Sequence, residues 1–318
     1  MQRSFLNRLH RKVRSLLGHK APPQLWIAVT YNCQCRCGHC AVGPELNKKT
    51  DELGRTEIAS ILEEARFLGF RRIAFFGGEP LLRQDLPDII KDASKLGLLS
   101  TIYTNGILLN REYVHRLKEA GLDKCNISMD SPDSNVHDKF RHYEGCFERA
   151  IEGIRNLKEV NISTSIWTHV SKQDVSRNEL KDLKRLIQMG RELNVSSIMI
   201  LFPMATGNWL CGWNEILTRE EREQVRELLE PPFVGMEFPD EMATCRGGRM
   251  FVYIKPDGSV TPCPSISSIF GNIRQESLRS ILRRIEKDFC CIAAEHQGDC
   301  VFNNPYLREK INLSSVRK

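Results

Sequence analysis

From Gln24 onward, short apolar runs alternate with longer stretches in which apolar residues recur every three or four positions. Leu25–Thr30, Arg72–Phe76, Leu99–Tyr103, Lys124–Met129, Ile162–Val170 and Ser197–Phe202 read as strands. Arg55–Leu68, Leu86–Leu96, Arg111–Ala120, Phe147–Leu157 and Glu179–Leu193 read as the helices between them. The first of these helices gathers Ile58, Ile61, Leu62, Ala65 and Leu68 on one face, the mark of a 3.6-residue period. Repeated strand–helix alternation predicts a parallel sheet with helices outside it and right-handed crossovers. An open doubly wound sheet and an incomplete barrel both satisfy the pattern. In either, the chemistry belongs at the C-terminal ends of the strands.

Past the sixth strand the texture changes. Thr218-Arg219-Glu220-Glu221 is a capping box that predicts a helix through Leu229, ended by Pro231-Pro232. Met250–Ile254 and Ser259–Thr261 flank the turn Lys255-Pro256-Asp257-Gly258 and read as a hairpin, with a last helix from Glu276 to Ile285. Residues 4–17 form an amphipathic basic pattern, with Phe5, Leu6, Leu9, Val13, Leu16 and Leu17 on one face. That helix either caps the main domain or lies on an anionic membrane surface, a peripheral contact at the inner face. The expected organisation is an N-terminal helix in 1–23, a main domain over 24–215 and a smaller domain over 216–318.

Composition narrows the class. An apolar fraction of 41% and a charged fraction of 27% suit a globular chain. No stretch approaches the roughly 20 apolar residues of a membrane span, and the N-terminus lacks the apolar core of a signal peptide. The expected location is the cytoplasm. The net charge of +6 is gathered largely at the two ends, and no nucleic-acid-binding motif is present, so no nucleic-acid partner is expected. Twelve cysteines in a cytoplasmic chain point to metal rather than to disulfides.

The first cysteine group is Cys33-Gln34-Cys35-Arg36-Cys37-Gly38-His39-Cys40, directly after the first strand. Three thiolates on one loop suit three corners of a four-iron cluster whose fourth iron stays open to another ligand. Zinc held by Cys37, Cys40, His39 and Cys35 is the alternative on the loop alone. After the second strand comes Gly77-Gly78-Glu79-Pro80, where two glycines allow close backbone approach to a ligand and Glu79 supplies charge for an ammonium group.

Together, these motifs resemble the radical S-adenosylmethionine (SAM) superfamily. The resemblance spans roughly residues 24–305. Cys33, Cys37 and Cys40 match its Cys-x3-Cys-x2-Cys signature, leaving Cys35 as a non-ligand, and Gly77–Pro80 match the segment that holds the methionine amino group of SAM. The resemblance implies an α/β fold, a partial (β/α)6 TIM-like barrel with a small C-terminal Fe–S-binding α+β extension. It also implies SAM contacts from Thr104 and Asn105, from Ser128 and Asp130 at the ribose, from Arg141 at the carboxylate and from His39 at the adenine, where many members carry an aromatic residue.

The second group, Cys245-x12-Gly258-x4-Cys263, resembles the opening of SPASM and twitch domains, which hold auxiliary Fe–S clusters. Cys290, Cys291 and Cys300 follow. Five cysteines imply one auxiliary [4Fe–4S] cluster on Cys245, Cys263, Cys300 and either Cys290 or Cys291; a structural zinc site is the alternative. Cys125 and Cys146 read as buried free thiols, and Cys211 lies near the expected barrel mouth.

The resemblance implies an oxidoreductase or modifying enzyme. A reduced [4Fe–4S] cluster cleaves SAM to a 5′-deoxyadenosyl radical, which takes a hydrogen atom from substrate, while the auxiliary cluster serves in its oxidation. A reductant such as flavodoxin or ferredoxin is the expected partner. Only 32 residues precede Cys33, too few for an N-terminal peptide-recognition domain. A peptide or protein and a small molecule such as a sugar alcohol stand level as substrates, with a lipid-linked substrate behind them. A non-catalytic zinc or Fe–S protein is the rival class; it accounts for the cysteines but not for Gly77–Pro80.

Overall fold

A computed structural model describes residues 22–176, 179–209, 213–237, 244–297 and 300–316. The amphipathic segment 4–17 and Cys211 lie outside the described residues. Among the described residues, no helix is long and apolar enough to cross a membrane.

Six parallel strands form the frame: β1 (Gln24–Thr30), β2 (Arg72–Gly77), β3 (Leu99–Thr104), β4 (Lys124–Ser128), β5 (Ser163–His169) and β6 (Ser197–Leu201). Between them run α1 (Arg55–Leu68), α2 (Leu86–Lys95), α3 (Arg111–Ala120), α4 (Ser134–Arg141), α5 (Cys146–Glu159), α6 (Lys172–Ser176) and α7 (Lys181–Glu192). Side chains alternate across each strand. On β1, Leu25, Ile27 and Val29 join the core beneath the helices, whereas Trp26 and Ala28 join a second, interior cluster with Ala74 and Tyr253. Phe76, Tyr103 and Trp167 pack against that interior cluster, so the sheet encloses an aromatic lumen. This is the partial barrel expected.

The ends of α1 show how local chemistry sets the elements. The Glu57 carboxylate accepts from the Gly54 N–H at 2.8 Å, and Gly69, at φ +96°, closes the helix in the left-handed conformation. The predicted helix Glu179–Leu193 starts later, at Lys181, because Glu179 and Leu180 both take positive φ. Several elements were not expected, among them the short α6 and a C-terminal helix over Pro305–Val316. Helix α4 occupies a segment read only as a motif, and β7 (Val234–Met236) adds a seventh parallel strand beside β6. Helix α8 (Arg219–Arg226) starts at the predicted capping box and ends earlier than predicted.

The predicted hairpin is present as β8 (Phe251–Ile254) and β9 (Ser259–Thr261), followed by β10 (Gly271–Asn272). Its pairing is the unexpected part. β8 lies parallel to β1, so ten strands form one sheet in the order β10-β9-β8-β1-β2-β3-β4-β5-β6-β7. Arg274 bridges Asp51 and Glu57, and Glu64 of α1 accepts from the Leu278 and Arg279 N–H groups at the start of α9 (Leu278–Arg284). The C-terminal region is therefore fixed to the barrel by both a sheet and charge-assisted bonds.

Candidate functional site

The first cysteine loop leaves β1 and is held by its backbone. Asn47 accepts from the Cys33 N–H and donates to its carbonyl, both at 3.0 Å. The Arg36 N–H donates to the Arg141 carbonyl at 3.1 Å. Asn208 donates from Nδ2 to the Cys37 carbonyl at 2.8 Å and from its backbone to the Cys40 carbonyl at 3.0 Å. Cys33, Cys37 and Cys40 all line one cavity. Cys35 lines it too but is turned inward, packing with Ile107 and Cys146 and receiving a bond from Asn105 Nδ2 at 3.5 Å. Burial, then the neighbouring Cys37, pushes the Cys40 thiol up to about 12. Three thiols on one loop facing one cavity, with Cys35 turned away, fit a cubane with three sulfur ligands and an open iron.

The Gly77-Gly78 pair is needed first for chain packing. A Cβ on Gly77, at φ +134°, would stand 2.1 Å from the Thr30 carbonyl, and one on Gly78 would stand 2.4 Å from that of Asn32. The two strand ends lie this close because Gly78 and Glu79 donate to those carbonyls at 2.8 Å. The Glu79 carboxylate is fully buried and accepts from Thr104 Oγ1, Asn105 N–H and Leu81 N–H at 2.7, 2.8 and 3.1 Å. Burial outweighs those bonds and pushes it up to about 7. Thr104 and Asn105 are thus joined to Glu79 as one brace across β2 and β3.

Asp130 and Arg141, expected to contact SAM separately, bond to each other. Arg141 donates to Asp130 Oδ2 from Nε at 2.8 Å and from Nη2 at 2.6 Å, and both side chains are buried. Burial works against the charge of Asp130, but the paired Arg141 guanidinium outweighs it and holds the carboxyl well below the usual range. Arg141 and Ser128 line the cavity, with Asp130 braced against Arg141. His39 stacks on Phe140, centroids 4.8 Å apart, and faces His169 at 3.9 Å. Burial holds His39 neutral, and its Nδ1 is a buried atom with no partner among the described residues.

The second group lies in the C-terminal region. Cys245, Cys263 and Cys300 are buried and line the same cavity as the first group. Adjacent Cys290 and Cys291 part company. Cys290 is buried, and its Sγ lies 2.9 Å from where a Gly248 Cβ would stand; Cys291 is exposed, its thiol directed at the Glu286 carbonyl 3.8 Å away. Cys290 ends a six-residue π-helical stretch, Ile285–Cys290, and Cys291 begins the helical turn after it, so the two adjacent side chains face different ways.

The shared cavity measures about 590 Å³, walled by Trp26, Phe76, Tyr103, Trp167 and Phe251. Several of its residues escaped the sequence motifs. His169 ends β5, and Trp209 and Thr206 sit on the loop after β6. Glu237 follows β7, where its backbone N–H donates to the Ile200 carbonyl at 2.9 Å. Its Oε2 is buried without a partner among the described residues, and burial pushes the carboxyl up to about 7 against the Arg246 charge. The one signal for Glu237 was its place at a strand end, and the strand was too short to see.

A partial barrel with a three-cysteine loop after its first strand, a Gly-Gly-Glu-Pro turn after its second and further cysteines on a C-terminal extension defines a class. The radical SAM superfamily model matches residues 27–203, more than half of the chain, and the SPASM iron–sulfur cluster-binding domain matches residues 245–304. The chain belongs to the radical SAM superfamily and carries a SPASM domain.

It is 26% identical over 296 residues to the AdoMet-dependent heme synthase of Methanosarcina barkeri, covering 84% of this chain and 83% of that protein. To the AdoMet-dependent heme synthase of Oleidesulfovibrio alaskensis it is 27% identical over 293 residues, covering 81% and 74%. Its fold is similar to that of Streptococcus suis SuiB bound to S-adenosylmethionine, with a TM-score of 0.68 at 19% identity over 89% of this chain and 70% of that one. The fold of anSMEcpe with bound AdoMet is similar too, with a TM-score of 0.64 at 16% identity over 86% and 84%. The chain is an enzyme of this superfamily, with SAM, a [4Fe–4S] cluster and auxiliary iron–sulfur binding as its cofactors.

Proposed function

We propose that the chain abstracts hydrogen from a small, largely apolar molecule held in the aromatic chamber, and that the auxiliary site serves the oxidation that follows. The observation that carries this reading is a single cavity lined by Cys33, Cys37 and Cys40 and also by Cys245, Cys263 and Cys300. In it, Cys33, Cys37 and Cys40 hold the SAM-binding cluster, and Cys245, Cys263, Cys290 and Cys300 hold one auxiliary cluster. When bound, the cluster and SAM supply one-electron chemistry able to break an unactivated C–H bond.

The chain's own residues do the rest. Gly77–Pro80, Thr104 and Asn105 present backbone and side-chain groups at one side of the SAM site. Arg141 presents a fixed charge, held by Asp130; Ser128 and His39 complete the wall. The aromatic walls exclude water and orient the substrate.

Support for a small molecule comes from the aromatic lining of the chamber, apolar walls with few polar groups between them, as in small-molecule pockets. The relatives named as heme synthases, which make a small molecule, support it as well. The barrel proper takes residues 24–215 and the auxiliary domain 216–318 in this reading, with a one-electron donor protein as the partner.

The test is anaerobic reconstitution followed by SAM cleavage with dithionite, comparing the intact chain with a Cys33→Ala, Cys37→Ala, Cys40→Ala variant. Formation of 5′-deoxyadenosine by the intact chain alone is expected, with iron left on the variant counting the auxiliary cluster. Zinc in place of iron, with no cleavage by either, would sink the reading. Hydrogen transfer from a deuterated peptide but from no small molecule would move the substrate class to peptides.

A further inference from the structure

The first cysteine loop is gripped by a second loop that belongs to none of the motifs. After β6, residues 202–209 fold back over Cys37 and Cys40. One residue makes both bonds: Asn208 Nδ2 donates to the Cys37 carbonyl at 2.8 Å, and the Asn208 N–H donates to the Cys40 carbonyl at 3.0 Å. The fit leaves no slack. A Cβ on Gly207, at φ +57°, would stand 2.1 Å from the Cys40 carbonyl, and one on Gly43 would stand 2.2 Å from Asn208 Oδ1.

The same loop faces the chamber through Met204, Thr206 and Trp209, and the Trp209 ring lies 6.1 Å from that of His39. It also touches the C-terminal domain, where Asn303 Oδ1 accepts from the Ala205 N–H at 3.1 Å. One short strap therefore contacts the cysteine loop, the substrate chamber and the auxiliary domain.

We propose that Asn208 is a positioning residue that sets the placement of Cys37 and Cys40, and that the strap 202–209 transmits occupancy of the chamber to the cluster these cysteines hold. The proposal rests on the assignment of Cys33, Cys37 and Cys40 as ligands. The physical basis is that partners outside the ligand sphere orient the ligands, and losing one commonly costs 10–100-fold in metal affinity. Two of three ligands here depend on one residue, and the neighbours of that residue form the chamber wall. A molecule pressing on Trp209 or Thr206 acts on Asn208 through one or two covalent links.

Asn208→Asp is the informative change. It is isosteric, so packing is kept, but it puts an acceptor oxygen against the Cys37 carbonyl. In the reconstituted full chain, iron release to EDTA from the SAM-binding cluster is expected to be about 10-fold faster or more. Release of the iron that survives in the triple-cysteine variant should be unchanged. The SAM-induced shift in the electron paramagnetic resonance (EPR) signal of the reduced cluster should also change, a readout that mere filling of space would not move. Asn208→Ala, which keeps the backbone bond, should fall between Asp and wild type. Trp209→Ala, which leaves both Asn208 bonds in place, should alter the same EPR shift.

Wild-type release and EPR behaviour in Asn208→Asp would overturn the positioning role. If that variant also loses the auxiliary iron, Asn208→Ala decides, and wild-type behaviour there overturns it. An unchanged EPR shift in Trp209→Ala would overturn transmission through the strap. If the wild-type chain holds no more iron than the triple-cysteine variant, the ligand assignment itself has failed, whatever Asn208 does.

Discussion

Replacing Asp130 by Asn tests the buried charge pair on its own terms. The Arg141 and Asp130 side chains are 7% and 5% exposed, and two hydrogen bonds join them. The Asn side chain keeps the shape but leaves the guanidinium charge buried without its counter-ion. Breaking a buried pair from one side typically costs about 3–5 kcal/mol, because the surviving charge is uncompensated. At roughly 2 °C per kcal/mol for a chain of this size, the melting temperature should fall by about 6–10 °C.

The pH dependence has a definite sign. The Asp130 carboxyl sits well below its ordinary value of 3.8 in the fold, so its contribution is complete above that value. Below it the contribution shrinks progressively, and it is gone only once pH has fallen through the depressed value. The wild-type advantage should therefore be constant from about pH 5 to 8 and persist below pH 4. Melting of the reconstituted full chain across that range is the assay, with an Asp130→Leu, Arg141→Met double variant alongside. Removing both charges should recover most of the loss. A single variant within about 1 kcal/mol of wild type, or a double variant as unstable as the single, would refute the reasoning.

Further outcomes follow from the same geometry. Glu237→Gln should leave stability unchanged below the ordinary value of 4.5 and raise it as pH climbs to 7 and beyond, by up to about 3 kcal/mol, since a carboxyl pushed up to about 7 is costly to ionise; urea unfolding at pH 4.5 and 8 reads this directly. Cys291→Ser should keep the full iron content, whereas Cys290→Ser should lose iron that the triple-cysteine variant retains, and equal iron in the two would contradict the split seen between these neighbours. Gly78→Ala forces a methyl group to 2.4 Å from the Asn32 carbonyl, so SAM affinity measured by calorimetry should drop at least 10-fold, with a clear loss of thermal stability.

Much of the barrel was legible because its strands are covered on both faces. Leu25, Ile27 and Val29 pack under helices while Trp26 and Ala28 pack inside, so β1 reads as an unbroken apolar run of the kind parallel sheets require. The cysteine groups were legible from their spacing together with the family resemblance that it and Gly77–Pro80 carry. The rest depended on partners that spacing does not encode. Asp130 and Arg141 each look like a ligand-facing residue until the fold pairs them. Cys290 and Cys291 are adjacent, and which of them the fold buries is set by the helices packed around them, not by their spacing. β7 has three residues, one of them Gly235, and carries no periodic signal, which hid Glu237. Asn208 acts through backbone carbonyls, and any sequence in the cysteine loop would offer those.

The parallel pairing of β8 with β1 bears on how electrons and substrate share the enzyme. A domain on a flexible tether would let the distance between its two metal sites wander, and with it the rate of any transfer between them. Here the segment carrying Cys245 and Cys263 runs through a strand bonded to the one that launches Cys33, and the Tyr31 and Tyr253 hydroxyls meet across that join at 3.1 Å. The separation of the two cysteine groups is therefore built into the hydrogen-bond register of a sheet.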